Sequence, residues 1–109
     1  MSEPARVEVD RHGAGYVIRI RGEVDMSNAG ELSAAIEGLV PNGASSVAVD
    51  LSETTYMDSA GIQLLFLLAE RLKARRHELR VIVPRDAPIR PVLELTGLAA
   101  VVRMDDQLD

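Results

Sequence analysis

Ser59 occupies a position where a hydroxyl can gain or lose a charged group. Residues 47–51 are nearly continuous apolar and β-branched, as in a strand covered on both faces, and lead through Ser52, Glu53, Thr54, Thr55 and Tyr56 into Met57, Asp58, Ser59, Ala60 and Gly61. An apolar helical pattern begins there, so Ser59 falls at a helix N-terminus, where unpaired N–H groups and about half a positive charge favour an anion. A phosphate fits this position, and Ala60 and Gly61 have so little side chain that another protein's active site could approach the hydroxyl closely. The same residues also fit a purely local role in which Asp58 or Ser59 caps the helix. A serine hydrolase would need a base beside the nucleophile, but His12 falls in a hairpin turn and His77 beyond the far end of the helix. Asp25 and Asp58 could be imagined as an acid and base pair or a magnesium site. With no third ligand implied, recognition and capping are the better reading.

Composition narrows the classes further. With no cysteine there are no disulfides and no thiolate metal sites, and two histidines leave a zinc site dependent on carboxylates. The longest apolar run, residues 64–69, is far below the roughly 18 residues needed to span a bilayer, and the N-terminus has no stretch fit for a signal peptide. The expectation is a cytoplasmic protein with no membrane insertion. The net charge of −5 is unevenly spread: residues 22–70 hold eight acids and no Lys or Arg, whereas residues 71–103 hold eight bases against three acids. A pI near 5.0 and only three aromatic residues argue against direct nucleic-acid binding, so the basic stretch reads as a solvated face.

Around the candidate serine the elements alternate. Residues 6–10 and 16–21, separated by His12, Gly13, Ala14 and Gly15, predict an antiparallel hairpin with Ile18 and Ile20 facing inward. Apolar residues at 32, 35, 36, 39 and 40 predict a helix, with Asn28 and Glu31 as a capping box and Pro41, Asn42 and Gly43 as its stop. The second helix runs over about 59–76. Residues 64–68 are apolar around its whole circumference, which predicts a helix packed on the sheet and covered by its neighbour rather than an exposed docking stripe. Residues 79–83 predict a strand. A short helix follows within 86–96, capped by Gly97; Pro91 is compatible with it only if the helix begins near that proline. Residues 100–104 predict a last strand and 105–109 a frayed tail. Gly22 reads either as the point where the chain leaves its strand or as a contact residue. The expected architecture is a single α/β domain over residues 1–109, order β-β-α-β-α-β-α-β, with helices packed on a mixed, mostly parallel sheet.

These residues resemble a known family. Met57, Asp58, Ser59, Ala60, Gly61 and Ile62 are similar to the phosphorylation motif of anti-sigma factor antagonists, the small single-domain members of the STAS group. Gly22, Glu23, Val24 and Asp25 resemble that family's other signature, Ser27, Asn28 and Ala29 continue it, and Leu95, Thr96, Gly97 and Leu98 resemble its helix exit. The likeness covers about residues 7–104, with three motifs in order.

The resemblance implies a STAS fold and a switch rather than an enzyme. Ser59 would be the phosphate acceptor, and partner contacts would involve Asp25, Ser27, Asn28, Asp58, Ala60 and Gly61. The unphosphorylated form would bind an anti-sigma factor that is itself a serine kinase, releasing the sigma factor; phosphorylation would end the binding and a phosphatase would reset it. ATP and magnesium would belong to the kinase, so no cofactor is expected here, and family membership suggests a monomer. Two other classes stand beside this one. A closely similar domain serves as a non-catalytic accessory subunit of membrane lipid transporters, although serine rather than threonine at position 59 leans against it. An enzyme acting on a phosphorylated small molecule would need a pocket of convergent polar groups.

Overall fold

Alternating apolar residues give the hairpin its register. Strand β1 (Arg6–His12) pairs antiparallel with β2 (Gly15–Val24), Val7 opposite Ile20 and Val9 opposite Ile18. The computed structural model describes residues 5–40 and 46–108. Helix α1 (Ala29–Leu39) leads towards β3 (Ser46–Asp50) and β4 (Thr54–Met57); α2 (Ser59–Ala74), β5 (Glu78–Ile82), α3 (Arg90–Leu95) and β6 (Arg103–Asp105) complete the chain. The sheet runs β1-β2-β3-β5-β6 with β4 on the far half of β2, and every pairing except the hairpin is parallel. The α/β architecture with its mixed, mostly parallel sheet is as the patterning predicts. The helix stop expected at Pro41, Asn42 and Gly43 lies outside the described residues.

The core is one continuous cluster beneath the helices. Ile18, Ile20 and Val49 from the sheet meet Ile36 of α1, Leu65 and Leu68 of α2, and Leu93 of α3, all at 0% exposure. Each side chain of this kind contributes about 1.5–3 kcal/mol on burial. On the opposite side of the sheet Val17, Ala48 and Ile82 form a smaller cluster against Leu108.

That smaller cluster explains the correction at the C-terminus. Residues 105–108, expected to fray, are tied down: Asp105 belongs to β6, the Arg80 guanidinium donates to the Leu108 carbonyl at 3.0 Å, and Asp106 pairs with Arg85 and Arg90 at 2.7 Å each. The last strand is also later than expected. Gly97 is left-handed (φ 82°), and Leu98–Ala100 form a 3-10 turn that buries Leu98 and, just beyond it, Val102 while Val101 stays exposed, a helical spacing rather than an alternation. Helix α3 begins beside Pro91, with the proline in its first turn, which removes the strain of an earlier start.

Two further expectations change near the candidate site. The chain does not leave its strand at Gly22. With φ 95°, this glycine shifts the register, so that β2 pairs with β3 before it and with β4 from Gly22 on. Strand β4 itself is hidden in the sequence because its buried residues, Thr54 and Met57, flank two exposed ones and so do not alternate. The Thr54 hydroxyl donates to the Ile20 carbonyl at 2.7 Å, anchoring β4 beside β2.

Candidate functional site

The pairing of β2 with β4 builds the site. Val24 lies opposite Met57, so the next residues of the two strands, Asp25 and Asp58, leave the sheet side by side. The Asp58 N–H donates to the Val24 carbonyl at 3.2 Å, closing the corner. One carboxylate oxygen of Asp58 then accepts the N–H groups of Ala60 (2.9 Å) and Gly61 (3.1 Å), capping α2, and the other accepts the N–H of Met26 at 3.1 Å. A single side chain joins the start of α2 to the loop before α1. Capping by Asp58 is the local role anticipated for that residue; the tie to Met26 is a tertiary contact that no spacing announces.

Ser59 is the first residue of α2 and is exposed to solvent. Ala60 beside it is half-buried. Gly61 is buried, and an added Cβ would lie 2.4 Å from the Met57 side chain and 3.1 Å from the Val24 carbonyl oxygen. The missing side chain at 61 thus lets α2 seat on the ends of β2 and β4, a packing role in place of the open approach expected of it.

Asp25 organises the other loop. Its carboxylate accepts the Ser27 N–H at 2.9 Å and the Ser27 hydroxyl, and its carbonyl accepts the N–H groups of Asn28 (3.1 Å) and Ala29 (2.9 Å). The Ser27 hydroxyl, then its N–H, hold the Asp25 carboxyl below its ordinary range, outweighing the opposing effect of burial. Ser27 is exposed and Asn28 half-buried. Asn28 sits at the N-cap position of α1, but its side chain does not cap it. The side-chain oxygen accepts the Asp25 N–H at 3.0 Å and the side-chain nitrogen donates to the Glu23 carbonyl at 2.9 Å, so the predicted capping box with Glu31 is not made. Asp25 is already using its own backbone and carboxylate to hold the first amides, which leaves Asn28 free to brace the loop.

The local field is negative and unshielded. Among the described residues neither Asp25 nor Asp58 has a Lys or Arg in an ion pair, in keeping with the absence of bases from residues 22–70. No group of three or more His, Asp or Glu among the described residues is arranged to hold a metal ion. His77 follows the far end of α2, which at about 1.5 Å per residue is some 24 Å long, and His12 ends β1, so neither histidine serves Ser59 as a base.

One feature of the site departs from the expectation that residues 64–68 are covered all round. Met26 is 84% exposed, and with Gly30 and Ser33 of α1 it faces Ala60, Leu67 and Glu70 of α2 across an open groove of about 570 Å³. Helix α2 is therefore covered by its neighbour on one side only: Leu64, Leu65 and Leu68 are buried, while Leu67 is left at the groove. The apolar run at 64–68 and a methionine immediately after Asp25 are the signals that the sequence carries.

Among the described residues no helix is long and apolar enough to cross a membrane. BtrV of Bordetella bronchiseptica, named as a candidate anti-sigma factor antagonist, is 27% identical over 96 residues, spanning 88% of this chain and 82% of its own. The anti-sigma-B factor antagonist of Staphylococcus aureus is 25% identical over 100 residues, 92% of each chain. A crystal structure of an anti-sigma factor antagonist from Mycobacterium paratuberculosis superposes with a TM-score of 0.79 at 29% identity, covering 100% of this chain and 93% of that one. A family model described as "Mlab, STAS domain" matches residues 7–104, from β1 to β6. The chain belongs to the STAS domain family.

Proposed function

We propose that the chain is an anti-sigma factor antagonist, a cytoplasmic, monomeric and non-catalytic binding protein switched at Ser59. In its unphosphorylated form it binds an anti-sigma factor serine kinase and so releases the sigma factor; phosphate on Ser59 ends the binding, and a phosphatase restores it. The observation that carries this reading is the exposed Ser59 hydroxyl at the start of α2, beside an Asp58 already bonded to the Ala60 and Gly61 N–H groups and with no Lys or Arg between residues 22 and 70.

Phosphate brings about −1.5 to −2 charges at neutral pH. The helix end favours it, but Asp58 holds the nearest amides and, among the described residues, has no Lys or Arg in an ion pair, so the charge adds to that of Asp58 at the surface. A partner surface fitted to a neutral hydroxyl then meets an unpaired dianion, which costs about 2–5 kcal/mol, or some 30-fold or more in affinity. The scaffold persists because the bonds of Asp58 and Asp25 lie within the chain.

The test is intact-mass measurement after incubation with the cognate kinase, ATP and magnesium, with Ser59→Ala as control, alongside kinase affinity of Ser59→Asp. One added phosphate, absent in Ser59→Ala, and binding at least about 30-fold weaker in Ser59→Asp are expected. Wild-type affinity in Ser59→Asp would sink the switch. Recovery of lipid-transporter subunits in place of a kinase, in a pull-down from the native cell, would assign the accessory-subunit reading.

A further inference from the structure

The groove between α1 and α2 has a shape and charge of its own. Its α1 wall is made of the small residues Gly30 and Ser33, which lets another backbone come close, and Met26 and Leu67 stand at its sides with 84% and 36% of their surface exposed. Exposed apolar side chains around a concave floor mark a surface that a partner covers. Ser33 is 8% exposed and its hydroxyl has no hydrogen-bond partner among the described residues; with Gln63 and Glu70 it is a polar point in a mostly apolar lining.

Charge selects the occupant. Glu70 lines the groove, and among the described residues its carboxylate is in no ion pair. Several other carboxylates are paired: Glu37 is held by Arg71, Glu94 by Arg90, Asp105 by Arg80 and Asp106 by Arg85. An apolar trough with the unpaired Glu70 in its wall fits an apolar segment flanked by cations. It rejects nucleic acid by charge.

We infer that the α1–α2 groove receives an amphipathic helix of the partner protein, its apolar side chains seated between Met26 and Leu67 and its Lys or Arg residues against Glu70. This deepens the switch proposed above and rests on it for the identity of the partner. Ala60 lines the groove and adjoins Ser59, so a helix seated there reaches the acceptor and is displaced when phosphate arrives.

The experiment titrates the ¹⁵N-labelled full chain with two helical peptides that share leucines at i, i+3, i+4 and i+7, one flanked by lysines and the other by glutamates. The lysine peptide should move the amides of Gly30, Ser33, Ala60 and Leu67 and bind at least about tenfold more tightly than the glutamate peptide, while Glu70→Lys should narrow or reverse that preference. Gly30→Phe should weaken the lysine peptide about tenfold or more; a Cβ at 30 meets nothing within 4 Å, so a side chain can start from this backbone, and an unchanged melting temperature verifies the variant's fold. Shifts located elsewhere, equal binding of the two peptides, or unaltered binding by Gly30→Phe would overturn the groove assignment. Phosphorylation of Ser59 by the kinase, followed by intact mass on the same proteins, separates the two ideas. A phosphorylated Ser59 without peptide in the groove removes the groove alone; peptide in the groove without a phosphorylatable Ser59 removes the switch alone.

Discussion

Two corners of this molecule are rich in aspartate, and they use it in opposite ways. At the β2–β4 corner, Asp25 and Asp58 accept hydrogen bonds from Ser27 and from the amides of Met26, Ala60 and Gly61, and among the described residues neither is in an ion pair with a cation. At the β5–β6 edge, Asp105 and Asp106 are matched to Arg80, Arg103, Arg85 and Arg90 at 2.7–3.0 Å. The first arrangement fixes geometry and leaves the negative field standing. The second neutralises it. A segment's net charge therefore says little by itself about partners: the basic stretch at 71–103 is largely consumed inside the fold, whereas the acidic stretch at 22–70 still presents charge outward, where the phosphate of the proposed switch would arrive.

The contrast breaks most clearly at Asp58. Asp58→Ala removes the acceptor of three N–H groups at once, and loss of an N-cap together with a tertiary bond costs about 2 kcal/mol, or roughly 8 °C in melting temperature for a domain of this size. Amide exchange at Met26, Ala60 and Gly61 should accelerate together. Asp58→Asn sharpens the point: its carbonyl oxygen can still cap α2, but its NH₂ group has nothing to offer the Met26 N–H, so Met26 alone should lose protection. If Met26 stays protected in Asp58→Asn, the two loops are held together by something other than this carboxylate.

The matching change at the other corner is smaller. Arg90 donates to the Val83 carbonyl at 2.6 Å and to Asp106 at 2.7 Å, with its side chain 17% exposed. Arg90→Ala should cost about 1 kcal/mol, because the carboxylate it releases can turn to water. Thermal unfolding measures the difference; a loss equal to that of Asp58→Ala would mean that the edge is structurally as demanding as the corner.

How much of this was readable beforehand follows from the range of each interaction. The hairpin, the parallel strands β3 and β5 and the start of α2 at Ser59 come from local periodicity and capping, which a linear sequence displays. Asp58 as the cap of α2 is legible for the same reason. Thr54 is not, because the partner that makes β4 a strand is the Ile20 carbonyl, 34 residues away. Residues 105–108 escaped for a similar cause: their order depends on Leu108 covering Val17, Ala48 and Ile82, an apolar patch that exists only once three strands are assembled. Asn28 misled because its residue type suits an N-cap, and the competing donors and acceptors at Asp25 and Glu23 become visible only in the folded loop. The groove beside Met26 is wholly tertiary, formed by two helices whose separation no pattern encodes.

Salt distinguishes the corners most finely. Asp105 is held below its ordinary pKa first by the hydrogen bond from Arg80 and further by the charge of Arg103, against the effect of burial; Asp25 is held below it by Ser27. In both cases the unfolded chain binds the proton more readily, so the stability each confers is fully present above its ordinary pKa and is lost as the pH falls through the lower, folded value. In 1 M salt the screening length is about 3 Å. The attraction of Arg80 and Arg103 should weaken and the Asp105 pKa rise toward normal, whereas Asp25, bonded to neutral donors amid other acids, should not rise. Carboxyl ¹³C titrations at low and high salt test this directly. A rise at Asp25 as large as that at Asp105 would place an unseen cation at the corner, and an incoming phosphate would then find a partner within the chain instead of repelling the protein it is meant to release.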